Sequence, residues 1–148
     1  MQLIIQAGDL GPKWFHVALR TLTLLASSEN MLKSHQIARQ LGEDPTFIRK
    51  ILSKLAKADY VKSYGGRYGG YIINISPGEI TVKAVYVALG DVSIIPFYTV
   101  PSTGVEFFIS QIIDKAERKF QEELNGVTIQ DLVDHRNRNE IRKEKDSD

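Results

Sequence analysis

Residues 34–57 read Ser34-His35-Gln36-Ile37-Ala38-Arg39-Gln40-Leu41-Gly42-Glu43-Asp44-Pro45-Thr46-Phe47-Ile48-Arg49-Lys50-Ile51-Leu52-Ser53-Lys54-Leu55-Ala56-Lys57. Ser34 has the side chain of an N-cap, a hydroxyl able to accept from a free amide of the first turn. Ile37, Ala38 and Leu41 recur at helical spacing, and Gly42 stands where a helix ends in a left-handed residue. Asp44-Pro45 then restarts a helix, with Asp44 as the cap and Pro45 at the first helical position, where its missing N–H costs nothing. Two helices joined by a tight glycine-containing turn make a helix-turn-helix.

The second helix has two faces. Ile48, Ile51, Leu52 and Leu55 form a stripe directed at a core. Thr46, Arg49, Lys50, Ser53, Lys54 and Lys57 make the other face, with four positive charges and no negative one. Such a face is often nothing more than a solvated surface. Here its position argues for more, because the second helix of a helix-turn-helix enters the major groove and its first residues reach base edges. Thr46, Phe47, Arg49 and Lys50 are therefore the base-proximal candidates. Ser34, Lys54 and Lys57 are the phosphate candidates.

Downstream, Tyr60–Tyr64 and Tyr71–Ile75 are rich in β-branched and aromatic residues and flank a turn, Gly65-Gly66-Arg67-Tyr68-Gly69-Gly70. This predicts a β-hairpin wing with Arg67, Tyr68 and Gly69 at its tip, ready to meet DNA. A nucleotide phosphate loop is the rival reading of so many glycines. It lacks both the Lys-Ser/Thr ending of a P-loop and the strand-to-helix context of a dinucleotide site.

These residues resemble the Rrf2-type family of bacterial winged-helix regulators. The resemblance lies in Ser34-x-x-Ile37-Ala38-x-x-Leu41-Gly42, in Pro45-x-Phe47-Ile48-x-Lys50-Ile51-Leu52-x-x-Leu55, and in Gly66-x-x-Gly69-Gly70-Tyr71. It continues through Ile80-Thr81 and a long later helix, and covers nearly all of the chain after about residue 12. It implies a homodimeric transcription factor, usually a repressor. In cluster-binding members of that family, the neighbourhood of residues 91–104 supplies three cysteines. This chain has no cysteine at all, so the expected cofactor list is empty and the family's iron–sulfur sensing does not carry over.

Composition is that of an ordinary soluble domain, with 148 residues, 43% hydrophobic and 25% charged. Neither a signal peptide nor a membrane span is read, and a cytoplasmic location is expected. The net charge of +1 conceals an asymmetry: residues 1–75 carry ten Lys/Arg against five Asp/Glu, the remainder nine against thirteen. A basic half is what binding to a polyanion requires. No nucleophile–base arrangement, metal-ligand spacing or pair of carboxylates on one helix face suggests an enzyme, and His16 and His35 lack neighbouring ligands in sequence.

The expected fold is mainly α with a small β-hairpin wing, a winged helix-turn-helix followed by a long C-terminal dimerisation helix. Residues 1–78 are read as an N-terminal segment plus the DNA-binding domain, 79–134 as connector and dimerisation helices, and 135–148 as a polar, disordered tail. A first helix from Pro12 to Ala26 is apolar nearly all round. Glu79–Leu89 predicts another, with Ile80, Ala84, Val87 and Ala88 inward. Val105–Leu124 is the longest candidate, and its stripe of Ile109, Ile112, Ile113, Ala116 and Phe120 is assigned to a homodimer interface.

The function that follows is a sequence-specific regulator of transcription, acting as a homodimer on a palindromic operator in double-stranded DNA. The competing reading is a winged-helix protein–protein module that regulates a partner enzyme. An effector, if there is one, is expected near Phe97, Tyr98, Phe107 and Phe108, whose rings could line an apolar pocket. The same aromatics could equally pack the connector against the dimer core.

Overall fold

Pro12 sets the entry to α1 (Lys13–Ala26), the helix around which the others pack. Phe15, Val17, Ala18, Thr21, Leu22, Leu24 and Leu25 are buried on it, so it is covered on nearly every side. The structure, a computed structural model, describes residues 2–6, 8–90 and 98–148.

Next come α2 (Ser34–Leu41) and α3 (Pro45–Lys57). The cap of α2 differs from the sequence expectation. Lys33 is the N-cap and Ser34 the first helical residue, because the Lys33 amide is satisfied by Gln36 Oε1 at 2.8 Å. Gly42 adopts φ 69°, and the Glu43 amide donates to the Ala38 carbonyl at 2.9 Å, closing α2 in a Schellman-type turn. Glu43 then pairs with Lys13 at 3.2 Å and Arg20 at 3.7 Å, while Arg20 also donates to the Leu41 carbonyl at 2.7 Å. The turn between the two helices is thus fastened to α1.

After α3, Asp59 takes a positive φ of 63° and turns the chain into β1 (Val61–Tyr64). It pairs antiparallel with β2 (Gly70–Ile73), in a register that sets Val61 opposite Ile73 and Tyr64 opposite Gly70. Leu32 joins β2 through reciprocal hydrogen bonds with Tyr71 at 2.8 and 3.2 Å, so the hairpin is also tied to the approach to α2.

The helix expected from Glu79 begins later. Pro77–Glu79 form a single 3-10 turn, and the Thr81 hydroxyl accepts from the Ala84 amide at 3.0 Å to cap α4 (Val82–Leu89). This shift changes the inward face. Ile80 is buried as expected, but Val82, Val85 and Leu89 fill the core, whereas Val87 and Ala88 are exposed.

Two longer helices complete the chain, α5 (Glu106–Asn125) and α6 (Ile129–Ser147). Thr128 and Asp131 form a reciprocal capping box at the start of α6. The Val82 amide donates to the Val127 carbonyl at 2.8 Å and the Ile129 amide to the Ile80 carbonyl at 2.9 Å, joining the starts of α4 and α6. Polar composition reads 135–148 as disordered; the structure instead continues α6 through Ser147. The segment lacks Gly and Pro and is rich in Arg, Lys and Glu, which are good helix formers, with an Arg136–Glu140 pair at 3.4 Å.

One hydrophobic core includes Leu22, Ile37, Ile48, Leu52, Leu55, Val85 and Ile129, so packing runs without interruption across residue 78. Among the described residues, no helix is long and apolar enough to cross a membrane.

Candidate nucleic-acid interface

The Asp44 carboxylate accepts from the Phe47 amide at 3.0 Å, so α3 starts abruptly and its first turn is held in a fixed orientation. Burial of Ile48, Ile51, Leu52 and Leu55 then settles which side faces out. Thr46, Arg49, Lys50, Ser53 and Lys57 share one exposed strip. On it, the Arg49 guanidinium donates to Thr46 Oγ1 at 3.1 Å, which steadies the side chain along the helix. Arg49, Ser53 and Lys57 form one wall of an open groove, and Ser63 and Tyr71 of the hairpin form the other.

At the wing tip, the Gly69 amide donates to the Gly66 carbonyl at 3.2 Å, placing Arg67 and Tyr68 at the centre of a four-residue turn. Gly66 has φ 87°, and a Cβ on Gly69 would overlap the Tyr64 carbonyl oxygen, so the turn requires glycine at both positions. The Arg67 guanidinium lies 5.7 Å from the Tyr68 ring centre, and Tyr68 is 86% exposed. Lys33 Nζ donates to the Arg67 carbonyl at 2.8 Å, bracing the wing against the start of α2. From Pro45 to Ile73 the sequence holds one acidic residue, Asp59, so strip and wing present a nearly unopposed positive field.

Not every candidate lies on that surface. Ser34 is half-buried at the start of α2. Phe47 is half-buried against the core, with the Lys13 ammonium 5.0 Å from its ring centre. Lys54 is half-buried and its ammonium donates to the Leu89 carbonyl at 3.5 Å, a cation at the C-terminal end of α4. Sequence reading passed over Lys33 and Lys62. Lys62 is an exposed cation on β1, 5.4 Å from the Tyr64 ring centre. Its place in a strand pattern was a usable signal. The Lys33 contact joins residues 34 positions apart and has no local signature.

The long helix α5 buries none of its residues. Ile109, Ile112, Ile113, Ala116 and Phe120 are all exposed, with Ile113 at 62%. Phe120 makes an edge contact with Tyr86 of α4 at 5.3 Å between ring centres, and Tyr86 in turn stacks near Trp14 and Phe15 of α1. Burial, and then the adjacent Glu117 carboxylate, push the Tyr86 hydroxyl above the usual phenol value. Of the four residues suggested for an effector, Phe97 lies outside the described residues. Tyr98, Phe107 and Phe108 are exposed. Phe107 borders Ser110, Asp114 and Arg118 on the polar side of α5, about 100° around the helix from Phe108.

A family model described as "Rrf2: Iron-dependent Transcriptional regulator" matches residues 13–135. Among solved structures, the chain is similar to IscR of T. potens, at 22% identity and a TM-score of 0.68, over 88% of this chain and 90% of that one. It is similar to CymR, the global cysteine regulator of B. subtilis, at 25% identity and a TM-score of 0.60, over 90% and 98% of the two chains. A Lactobacillus plantarum protein described as a candidate transcriptional regulator aligns with a TM-score of 0.72 at 23% identity, over 91% of this chain and 98% of that one. The iron in the family description does not fit the residues here. The sequence has no cysteine to provide cluster thiolates, and the described residues contain no group of three or more His, Asp or Glu placed to hold a metal ion.

Proposed function

The chain belongs to the Rrf2 family of transcriptional regulators, which bind DNA, and from that premise we propose that it is a homodimeric repressor reading a palindromic operator. The observation that carries this reading is the joint geometry of α3 and the wing. Arg49, Ser53 and Lys57 of α3 face Ser63 and Tyr71 of the hairpin across one groove, Thr46 and Lys50 continue the exposed strip, and Lys33 braces the Arg67-Tyr68 tip through the Arg67 carbonyl. In the proposed complex, α3 lies in the major groove with Arg49 and Lys50 at base edges, and Lys57 holds a phosphate. Arg67 follows the adjacent minor groove, with Tyr68 stacked behind it.

The exposed stripe of α5 supports the dimer. Ile109, Ile112, Ile113 and Phe120, each at least 42% exposed, form an apolar surface along a helix about 30 Å long. Packing it against its two-fold mate gives an isologous interface and sets two recognition helices facing one side of a duplex. A dimer seated on DNA excludes other proteins from the same site, which is repression in its simplest form.

Duplex binding measured by fluorescence anisotropy between about 50 and 200 mM salt tests the reading. Counterion release makes log affinity fall linearly with log salt, with a slope set by the number of phosphates contacted. A steep negative slope is expected. Absence of duplex binding at the lowest salt would overturn the proposal.

A further inference from the structure

A second concave site lies on the opposite side of α1 from the aromatic contacts with α4. It is a groove between α1, the end of α2 and α6, flanked by the N-terminal residues Leu3 and Leu10. Its walls are apolar, with Leu19 and Leu24 from α1, Leu41 from α2 and Leu132 from α6. Its rim is cationic. Arg20, Arg136 and Lys143 line it, against the single carboxylate of Glu140. Among these walls stands His16, whose Nδ1 is buried and has no hydrogen-bond partner. Burial, reinforced by the Arg20 guanidinium, holds His16 below its usual imidazole value.

We propose that this groove is a ligand site for an aliphatic carboxylate of medium chain length, with its hydrocarbon body between the leucines and its carboxylate at the Arg20–Arg136–Lys143 rim. A leucine-lined groove favours an alkyl chain, and the excess of cations over Glu140 favours an anionic head. The same groove connects to the DNA-binding elements through Arg20. Its guanidinium both donates to the Leu41 carbonyl and pairs with Glu43 in the turn before α3. A carboxylate that recruits Arg20 competes with Glu43 and loosens the brace on that turn, so occupation of the groove changes DNA affinity. This last link rests on the regulator reading; the binding site itself does not.

The test is calorimetric titration of the full-length protein with octanoate, with octylamine as the control of opposite charge. Saturable octanoate binding is expected, with octylamine silent. The Arg136→Gln, Lys143→Gln double variant should bind octanoate at least tenfold more weakly while keeping the wild-type melting temperature, since both side chains lie at the surface. No saturable heat with octanoate, equal binding of octylamine, or undiminished binding by the double variant would overturn the site. Duplex affinity with and without saturating octanoate then tests the link. A severalfold change that the double variant lacks supports it, and an unchanged affinity with octanoate bound overturns it. Failure to bind DNA would count against the regulator reading and leave the calorimetric result intact.

Discussion

Arg49 and Lys57 stand about two turns apart on the same exposed strip of α3, yet they should fail differently when removed. Arg49, steadied by Thr46, presents a planar fork suited to a guanine edge, so Arg49→Ala is expected to relax sequence preference at a cost on the order of 1–3 kcal/mol. Lys57→Ala should weaken all duplexes alike. Affinities measured across a randomised pool distinguish the two, and a uniform loss in both variants would remove Arg49 from base reading. Glu106 gives a test of a different kind. Its carboxylate accepts from the Thr103 hydroxyl and amide at 2.6 Å each, and from the Gly104 and Val105 amides at 3.1 Å. These bonds, the Thr103 hydroxyl first, hold its value at about 2, below the ordinary 4.5. The contribution is complete above about pH 4.5 and is lost as pH falls toward 2. The melting difference between wild type and Glu106→Gln should therefore be constant above pH 5 and shrink on acidification; a gap that persists unchanged to pH 2 would contradict the assignment. At this scale the sequence was partly legible. Gly42, Asp44 and Pro45 act through neighbours within a few residues, and their roles could be read locally. Phe47 and Lys54 could not be placed that way, because an ammonium on Lys13 and a carbonyl on Leu89 decide their settings; Ser34 is displaced from the cap by a local competitor, the Gln36 side chain on the Lys33 amide.

Among the elements, α2, α3 and the hairpin lie where periodicity and turn chemistry place them, since each is punctuated by Gly, Pro or Asp. The α4 face was misjudged because a helix of eight residues offers two overlapping apolar stripes, and the Thr81 cap selects the one containing Val82, Val85 and Leu89. The tail misled in the opposite way. Polarity argues against a core, yet α6 starts from buried Ile129 and Val133, runs on beside α1 and is supported by the Arg136–Glu140 pair and by good helix formers. For α5, the proposed self-association makes a sharp prediction. Ile112→Asp combined with Ala116→Asp would bury unpaired charge at a two-fold interface, at a cost of several kcal/mol. The double variant should elute and scatter light as a folded monomer and lose tight duplex binding. A dimer of wild-type mass from the variant would show that α5 is not the interface.

For the whole molecule, the division of charge between a basic first half and an acidic second half matches a body that places one side on DNA and keeps the other away from it. The shared core makes that arrangement stiff, because Val85 of α4 and Ile129 of α6 pack into the cluster that also holds Ile37 and Leu52 of the helix-turn-helix. In the proposed dimer, α5 meets this body at the Phe120–Tyr86 contact with α4, and the geometry of the pair would set the distance between two half-sites. Selection of bound sequences from a random duplex library, with the wild-type protein, tests this most directly. The expected result is enrichment of two inverted copies of one half-site, their centres about 10 base pairs or a multiple of that apart. An enriched motif without two-fold symmetry, or no enrichment over the starting pool, would contradict it.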